Sequence, residues 1–556
     1  MTQTALPQPI ALPADFPVVW ERPDEAHGFW ERETMHFPGQ SPLLDHSFAH
    51  RWVEEGFNAA CEDYSMPVRN AYRRVNTYVY QSIAPVSHNP PELEQLGRTA
   101  QERLGAAIGR QNEVWEGERL PEIKDLLGRW RAFDLTGASD AGLVTHLRDT
   151  LAWSERAWHI HFLTVFPVLV SMSLFDDFYS EVLGGEDTYG PYRLLQGQDN
   201  MSLLVDRALY ALSRRALSSD DVLRVLETSA AGDVVAELGG SDEGRSFLAE
   251  LDAFLAEHGR RTSLYISVSA PSWIEDPTPL ITVLQDAVTQ PERDHEAELE
   301  AFAQERARLT EGVRERLEGF PEAVRGQFEF LLGAARQGSV LQEDHNYWID
   351  TQVVYEVRRV ALELGRRLAA NGGVDSADDV FNLRLDELND LSADLHAVVA
   401  ERRQEMDEFS AVASPPVLGS LPPGSPPDDP ISRAVIKMFG GRPRESTTPD
   451  VFYGMPGSPG VARGRVRIVR SLAEGEALQH GEVLVSPTTA PPWTPLFARA
   501  AAIVTDAGGI LSHCAVVARE YSIPAVVGSK RATSVLRDGQ LIEVDGTSGS
   551  IRIVEA

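Results

Sequence analysis

Between Ser414 and Pro430 the chain reads "SPPVLGSLPPGSPPDDP", seven prolines in seventeen residues. Each proline fixes φ and withdraws a backbone donor, so neither a helix interior nor a central strand is expected there. Such a stretch is extended and semi-rigid. A second loose stretch, "GGRPRESTTPD", follows at Gly440–Asp450. This break separates two textures. The expected layout is a large, mainly α-helical domain over residues 1–413, a Pro/Gly-rich linker over 414–449 and a compact β/α domain over 450–556.

Ahead of the break the apolar residues recur at helical spacing. "EAELEAFAQERARLTEGVRERLEGF" (Glu296–Phe320), "QVVYEVRRVALELGRRLAANGG" (Gln352–Gly373) and "LRDTLAWSERAWHIHFLTVF" (Leu147–Phe166) are the clearest cases, the second ending in glycine, a natural helix stop. After the break come "GRVRIV", "EVLVS", "AAIVTD", "PAVVG", "QLIEVDG" and "SIRIV". These short runs of branched residues, bounded by Gly, Pro and Asp, read as strands.

Charge narrows the partners. A formal net charge of −32 repels phosphate backbones and anionic membranes, so neither nucleic acid nor membrane is expected as a partner. The two cysteines, Cys61 and Cys514, do not make a disulfide framework or a cysteine-rich zinc site and fit a reducing cytoplasm. "MTQTALPQPIALPADFP" at the N-terminus lacks the basic and apolar regions of a signal peptide. The longest apolar run, Phe162–Phe175, is short for a bilayer span, contains Pro167 and reads as a buried core helix.

Within the second texture lies "TDAGGILSHCAVVAREYSIPAVVG" (Thr505–Gly528). Gly508 and Gly509 permit backbone angles closed to other residues and a close approach by a ligand. Ser512 is placed to cap a helix that begins with His513. Free N–H groups and the positive end of the helix dipole in that first turn favour a phosphate, and a neutral imidazole nitrogen is a good nucleophile. Taken alone, a histidine near a turn is usually an ordinary surface residue.

The whole stretch resembles the phosphohistidine swivelling domain of the enzymes that make or use phosphoenolpyruvate, a family that includes rifampin phosphotransferase, phenylphosphate synthase and phosphoenolpyruvate synthase. That family's pattern is T-x-x-G-G-x-x-[ST]-H-x-A-[IV]-x-A-R-E-x-x-I-P, and Thr505, Gly508, Gly509, Ser512, His513, Ala515, Val516, Ala518, Arg519, Glu520, Ile523 and Pro524 all fit it. "GMPGSPGVARGRVRIV" and "LRDGQLIEVDGTSGSIRIV" resemble the opening and closing segments of the same domain. The resemblance implies that His513 accepts a phosphoryl group at one site and delivers it at another. It also implies that Thr505, Gly508, Gly509 and Ser512 shape the phosphate pocket. Arg519, turned about 120° from His513 around the helix, reads as an ion-pair or packing residue. Cys514 reads as a small buried side chain.

"FWERETMHFPGQSPL" (Phe29–Leu43), "LLQGQDN" (Leu194–Asn200), "FLAEHGRR" (Phe254–Arg261), "PSWIEDP" (Pro271–Pro277) and "DDVFNLRLDEL" (Asp378–Leu388) stand in the order of the substrate-binding domain of rifampin phosphotransferase-like enzymes. Neither the ATP-grasp domain nor the phosphoenolpyruvate-binding barrel of such enzymes is recognisable in the sequence. The resemblance therefore implies a separate ATP-grasp subunit that charges His513 and binds most of the ATP and Mg2+. The acceptor implied is a small organic hydroxyl, for example a phenol.

Transfer to a hydroxyl needs a base, a cationic or magnesium clamp and a pocket. Candidates are Asp344, His345 and Trp348 in "QEDHNYWID", His159 and His161 in "AWHIHF", His36 in "ETMHFP" and Arg73 in "NAYRRVNTYVYQ". Each is also an ordinary helix-face polar residue or core aromatic. Metal ligands are not assignable. Two other functions fit the same residues: ATP-driven activation of a substrate for condensation or dehydration, and a non-catalytic regulatory or scaffold protein that keeps the fold.

Overall fold

The structure, a computed structural model, describes residues 8–554 except 186, 263, 265, 293, 422–427, 442, 449, 491 and 492. The chain divides into two compact units, one of residues 1–167, 264–270 and 348–428, the other of residues 168–263, 271–347 and 429–556. This partition differs from the expected split near residue 414, because much of the helical texture groups with the β/α part.

The first unit contains a five-stranded antiparallel sheet where a mainly helical domain was expected. Its order is β1 (Gln8–Pro9), β5 (Val417–Leu421), β2 (Phe29–Arg32), β4 (Tyr78–Pro85), β3 (Val68–Val75). Strands β3 and β4 form a hairpin whose two turn residues, Asn76 and Thr77, have φ of 48° and 73°. Positive φ at both turn positions matches the right-handed twist of the flanking strands. Phe16, Trp30, Val75, Tyr78, Tyr80 and Leu418 make the core of this sheet.

Strand β5 lies inside the expected linker, yet it pairs with β1 on one side and β2 on the other. The reason is local. Val417–Leu421 holds no proline, so all five residues keep an N–H for the ladder, and Pro415 and Pro416 sit just outside it. Further along the linker, Pro430–Phe439 is a helix with proline at its first position and the Asp429 carboxylate accepting from the Ile431 and Ser432 amides. Residues 422–427, 442 and 449 of the linker lie outside the described residues.

A 44-residue helix, Asp140–Leu183, absorbs both the Leu147–Phe166 pattern and the apolar run after it. Pro167 within it has no N–H to give the Leu163 carbonyl. The Tyr64 hydroxyl supplies the missing donor at 2.8 Å. By length and composition this helix is apolar enough to cross a membrane, but 78% of its most apolar window is buried in the protein, as in the core helix the sequence predicts. The other two predicted helices are His295–Leu317 and Gln352–Ala370, the latter followed by Gly372 at φ +76°.

The second unit is built on an eight-stranded sheet. Its order is β6 (Val451–Tyr453), β13 (Ser550–Ile553), β12 (Leu541–Asp545), β8 (Val461–Ile468), β9 (Val483–Ser486), β10 (Ala502–Thr505), β11 (Ala525–Val527), β7 (Met455–Ser458). All six runs read as strands are strands. β8 to β11 pair in parallel, and every residue of β9, β10 and β11 is buried. That continuous burial is why these three read as unbroken apolar runs. Val466, Val483, Val485, Val504, Val526 and Ile542 form the centre of the core. The helix His513–Glu520 follows β10 and packs on β7 and β11.

Candidate functional site

The loop from β10 to this helix is closed by the chain's own backbone. The helix Pro430–Phe439 ends at Gly440, and its last carbonyls have no helical partners of their own. The loop supplies them: Gly509 N–H donates to Met438 O at 2.8 Å and Leu511 N–H to Lys437 O at 2.9 Å. A Cβ on Gly509 would lie 2.7 Å from the Lys437 carbonyl carbon and 2.9 Å from Ile436 O. At Gly509 the backbone of this helix makes a close approach. Gly508 has φ +100°, and a Cβ there would lie 2.8 Å from Ser512 Oγ. Lys437 Nζ reaches the Asp177 carboxylate at 2.7 Å, also pairs with Asp176, and anchors the helix.

Of the expected phosphate-pocket residues, Thr505 is fully buried and its hydroxyl donates to Ala507 O at 2.8 Å, which shapes the turn. Ser512 holds the N-cap position in extended conformation, but its side chain makes no capping bond, and its buried Oγ has no hydrogen-bond partner. It stands next to His513 with its hydroxyl uncommitted. Arg519 is buried, donates to Gly457 O and Ile510 O at 2.8 and 2.9 Å, and lies over the Tyr192 ring. It acts in packing, as its position on the helix implied, with carbonyls rather than an acid as its hydrogen-bond acceptors. Cys514 is buried, and burial pushes its thiol up to about 12 against the hydroxyls of Thr489 and Thr505. That fits an inert side chain.

His513 begins the helix with its side chain only 4% exposed. Its two ring nitrogens meet different chemistry. Nε2 lies 3.5 Å from the Thr494 hydroxyl. Nδ1 lies 4.0 Å from Oε1 of Glu343, whose side chain is 9% exposed. At that separation the contact is an ion-pair distance rather than a hydrogen bond. The other Glu343 oxygen accepts from Ser202 Oγ at 2.6 Å. Burial works against the Glu343 charge, but His513, Ser202 and Arg261 outweigh it and hold the carboxyl below its usual range. Arg261 is itself buried beside the rings of Trp273 and Tyr347. A buried imidazole at a helix N-terminus, flanked by a carboxylate on one nitrogen and a hydroxyl on the other, is suited to nucleophilic attack and to holding an anion on the ring.

Beyond the other end of the same helix is a cleft of about 280 Å³, lined by Leu203, Asp206, His295, Glu298, Phe302 and Glu520, among others. Burial, then Glu343 and Asp206, push the Glu520 carboxyl up to about 8 against the pull of Arg519.

The candidate acceptor residues divide between the units. Asp344 and His345 belong to the unit of His513, where each does local work. Asp344 accepts from the Met201 N–H at 2.8 Å and caps the helix Met201–Leu217, and His345 Nδ1 bonds Leu341 O at 2.7 Å. Trp348, His36, His159, His161 and Arg73 belong to the other unit. There Lys124 Nζ sits 4.7 Å over the Trp348 ring. His159 lies in a surface network with Asp63 and Arg156. Arg73 pairs with Glu25 and Glu54 from strand β3. His161 Nδ1 lies 2.8 Å from Asp350, and His36 Nδ1 lies 3.2 Å from Glu33. Burial opposes the charged form of His36, but Glu33 and Asp350 together raise its proton affinity.

Glu343, Thr494 and Ser202 escape the sequence reading. Glu343 is the immediate neighbour of Asp344, but nothing in "QEDHNYWID" marks which acid turns toward a histidine 170 residues away. Thr494 lies in "PTTAPPWTP", which carries no catalytic pattern.

Residues 161–343 match the family described as rifampicin phosphotransferase fourth domain, and residues 478–549 match the PEP-utilising enzyme mobile domain. Glu343 falls in the first match and Thr494 and His513 in the second. Over 98% of its length the chain is 38% identical to chondramide synthase cmdD of Chondromyces crocatus, of which it covers 14%. It is 32% identical over 72% of its length to the uncharacterized phosphotransferase YvkC of Bacillus subtilis, covering 47% of that protein. It is 31% identical over 58% of its length to rifampicin phosphotransferase of Streptomyces sviceus, covering 36% of it. The chain thus spans less than half the length of each of these relatives. With a match to the PEP-utilising enzyme mobile domain around His513 and a match to the fourth domain of rifampicin phosphotransferase ahead of it, the chain resembles the PEP-utilising phosphotransferases.

Proposed function

We propose that His513 carries a phosphoryl group and delivers it to the hydroxyl of a small organic acceptor bound by the helical part of the chain. The observation that carries this reading is the placement of His513. It is buried at the start of the helix His513–Glu520, beside the uncommitted Ser512 hydroxyl, with Glu343 and Thr494 facing its two nitrogens. The rifampicin phosphotransferase relatives support phosphoryl transfer as the reaction class. Charging is the task of an ATP-grasp module that holds ATP and Mg2+. That module is a separate subunit or another part of a longer polypeptide.

The chain's own residues supply the rest. The tie between the Gly509–Leu511 loop and the helix Pro430–Phe439 fixes the histidine's backbone. Burial excludes water that would otherwise hydrolyse a phosphorylated imidazole. The test is to supply ATP labelled in its phosphates together with a rifampicin phosphotransferase ATP-grasp module. Acid-labile, base-stable label is expected on His513 and absent from a His513→Ala chain. A folded chain whose only label lies elsewhere refutes the reading.

A second reading has one observation behind it. A relative that matches nearly this whole chain is named a synthase. The phosphorylated hydroxyl is then an intermediate that leaves as phosphate during condensation or dehydration. Mass analysis separates the two: a stable phosphoester in the first case, free phosphate with a new bond in the second.

A further inference from the structure

The cleft past Glu520 lies about 10 Å along the axis of the helix His513–Glu520 from the histidine. Its volume of about 280 Å³ is at the lower end of the range for small-molecule sites. The walls are of two kinds. Leu203, Leu299 and Phe302 make an apolar side, and Asp206, Glu298 and Glu520 bring three carboxyl groups from three different helices. No lysine or arginine lines it. Asp206 stands in the field of the buried Arg261, and Glu298 Oε2 lies 4.0 Å from Nδ1 of His295. Glu520 has neither aid. It is partly buried and makes no hydrogen bond and no ion pair among the described residues. Arg519, the cation that pulls on it, is committed to the carbonyls of Gly457 and Ile510, while Glu343 and Asp206 repel its charge.

We propose that this cleft binds a small organic ammonium, its cationic head among Glu520, Asp206 and Glu298 and its apolar or aromatic body against Leu203, Leu299 and Phe302. Charge selects the head. An anion would meet three acids with no lysine or arginine to answer it, and a neutral group would leave Glu520 without an opposite charge. A metal ion does not fit, because among the described residues the donor atoms of the cleft do not form a group close enough to share one ion. An ammonium has three donors spread around one nitrogen and can reach acids that stand on separate helices. An aromatic wall such as Phe302 favours the same charge. Without a cation beside it, the Glu520 carboxyl titrates near 8, raised by burial, Glu343 and Asp206 against the pull of Arg519. A bound ammonium supplies the opposite charge, so at pH 7 binding expels close to one proton from Glu520 to solvent. The ligand also joins two parts of the chain, since Glu520 falls in the match to the mobile domain and Asp206 and Glu298 in the match to the fourth domain of rifampicin phosphotransferase. The site does not depend on whether His513 carries a phosphoryl group.

Titration calorimetry of the whole chain with 2-phenylethylammonium tests this, in about 0.15 M salt to screen the chain's general negative charge. One saturable site is expected. The neutral 2-phenylethanol, of the same shape, should bind on the order of 10–100-fold more weakly, which is what hydrogen bonds to a charged group are worth. Heats measured at pH 7 in buffers of different ionisation enthalpy should show close to one proton released per ammonium bound. Glu520→Gln keeps the side chain's shape and removes its charge. It should weaken the ammonium by a similar factor and abolish the proton release. Leu299→Trp, which fills the apolar side, should weaken the ammonium and the alcohol alike. Equal binding of the two ligands overturns the proposal. So does a Glu520→Gln chain, or a folded Leu299→Trp chain, that binds the ammonium as the wild type does, because the ligand then sits elsewhere on the acidic surface. A wild-type chain that shows no saturable binding of 2-phenylethylammonium overturns it as well. The label on His513 is a separate measurement, so each of these results leaves the phosphocarrier reading as it stands.

Discussion

Replacing Gly509 with alanine puts a methyl group against the backbone of the helix Pro430–Phe439, 2.7 Å from the Lys437 carbonyl carbon and 2.9 Å from Ile436 O. Gly509 is not among the glycines with positive φ, so the cost is steric rather than conformational. Neither neighbour is a flexible side chain, and relief requires the loop or the helix to move by about 1 Å. That movement stretches the bonds from Gly509 N to Met438 O and from Leu511 N to Lys437 O, now 2.8 and 2.9 Å, beyond hydrogen-bonding range. Two bonds at about 1 kcal/mol each and an overpacking cost of about 1–3 kcal/mol oppose a gain of about 0.5 kcal/mol from the stiffer unfolded chain. The net loss is about 2.5–4.5 kcal/mol, concentrated at the loop that presents His513. Gly312, in the helix His295–Leu317 with nothing within 4 Å of its would-be Cβ, is the control. There alanine should stabilise by about 0.5–1 kcal/mol. Urea unfolding gives the totals, and hydrogen exchange at the Leu511 amide reads the loop. A Gly509→Ala chain within about 0.5 kcal/mol of wild type, with Leu511 as well protected as before, would show that the helix does not hold the loop.

Two further outcomes follow from acids whose charge the fold disfavours. Glu520 titrates near 8 in the fold, raised by burial, Glu343 and Asp206 from an ordinary 4.5. It keeps a proton that the unfolded chain releases, so its contribution is fully present below pH 4.5 and is lost as pH rises through about 8. A Glu520→Gln chain should therefore gain on wild type from pH 5 to pH 9, by on the order of a few kcal/mol in urea unfolding, and a pH-independent difference would contradict the assignment. Burial also pushes both thiols, Cys61 and Cys514, up to about 12. With about one thiolate in ten thousand at pH 8, the native chain should take up no iodoacetamide in an hour and two equivalents once unfolded; rapid native labelling would show that one thiol is exposed.

Local chemistry wrote much of this protein into its sequence. The glycine pair, the serine before His513 and the apolar spacing after it specify a loop that turns into a helix, because each acts over a few residues. The six β runs of the second unit were legible for the same reason. The hairpin Val68–Pro85 was legible too, through alternation around Asn76-Thr77, but its tyrosines and arginines drew attention as chemistry instead. Strand β5 was hidden by its flanking prolines, although the five residues between them keep every donor.

Tertiary structure alone decided how the loop is used and what faces the histidine. The sequence determines that His513 stands at a helix start beside small residues. It does not determine that the carbonyls of Lys437 and Met438 accept from the amides of this loop. Nor does it determine that Glu343, from the helix Glu322–His345, comes to Nδ1 while Thr494 comes to Nε2. Those choices depend on which groups burial deprives of water and which partners packing then delivers, and packing joins residues that no local pattern connects.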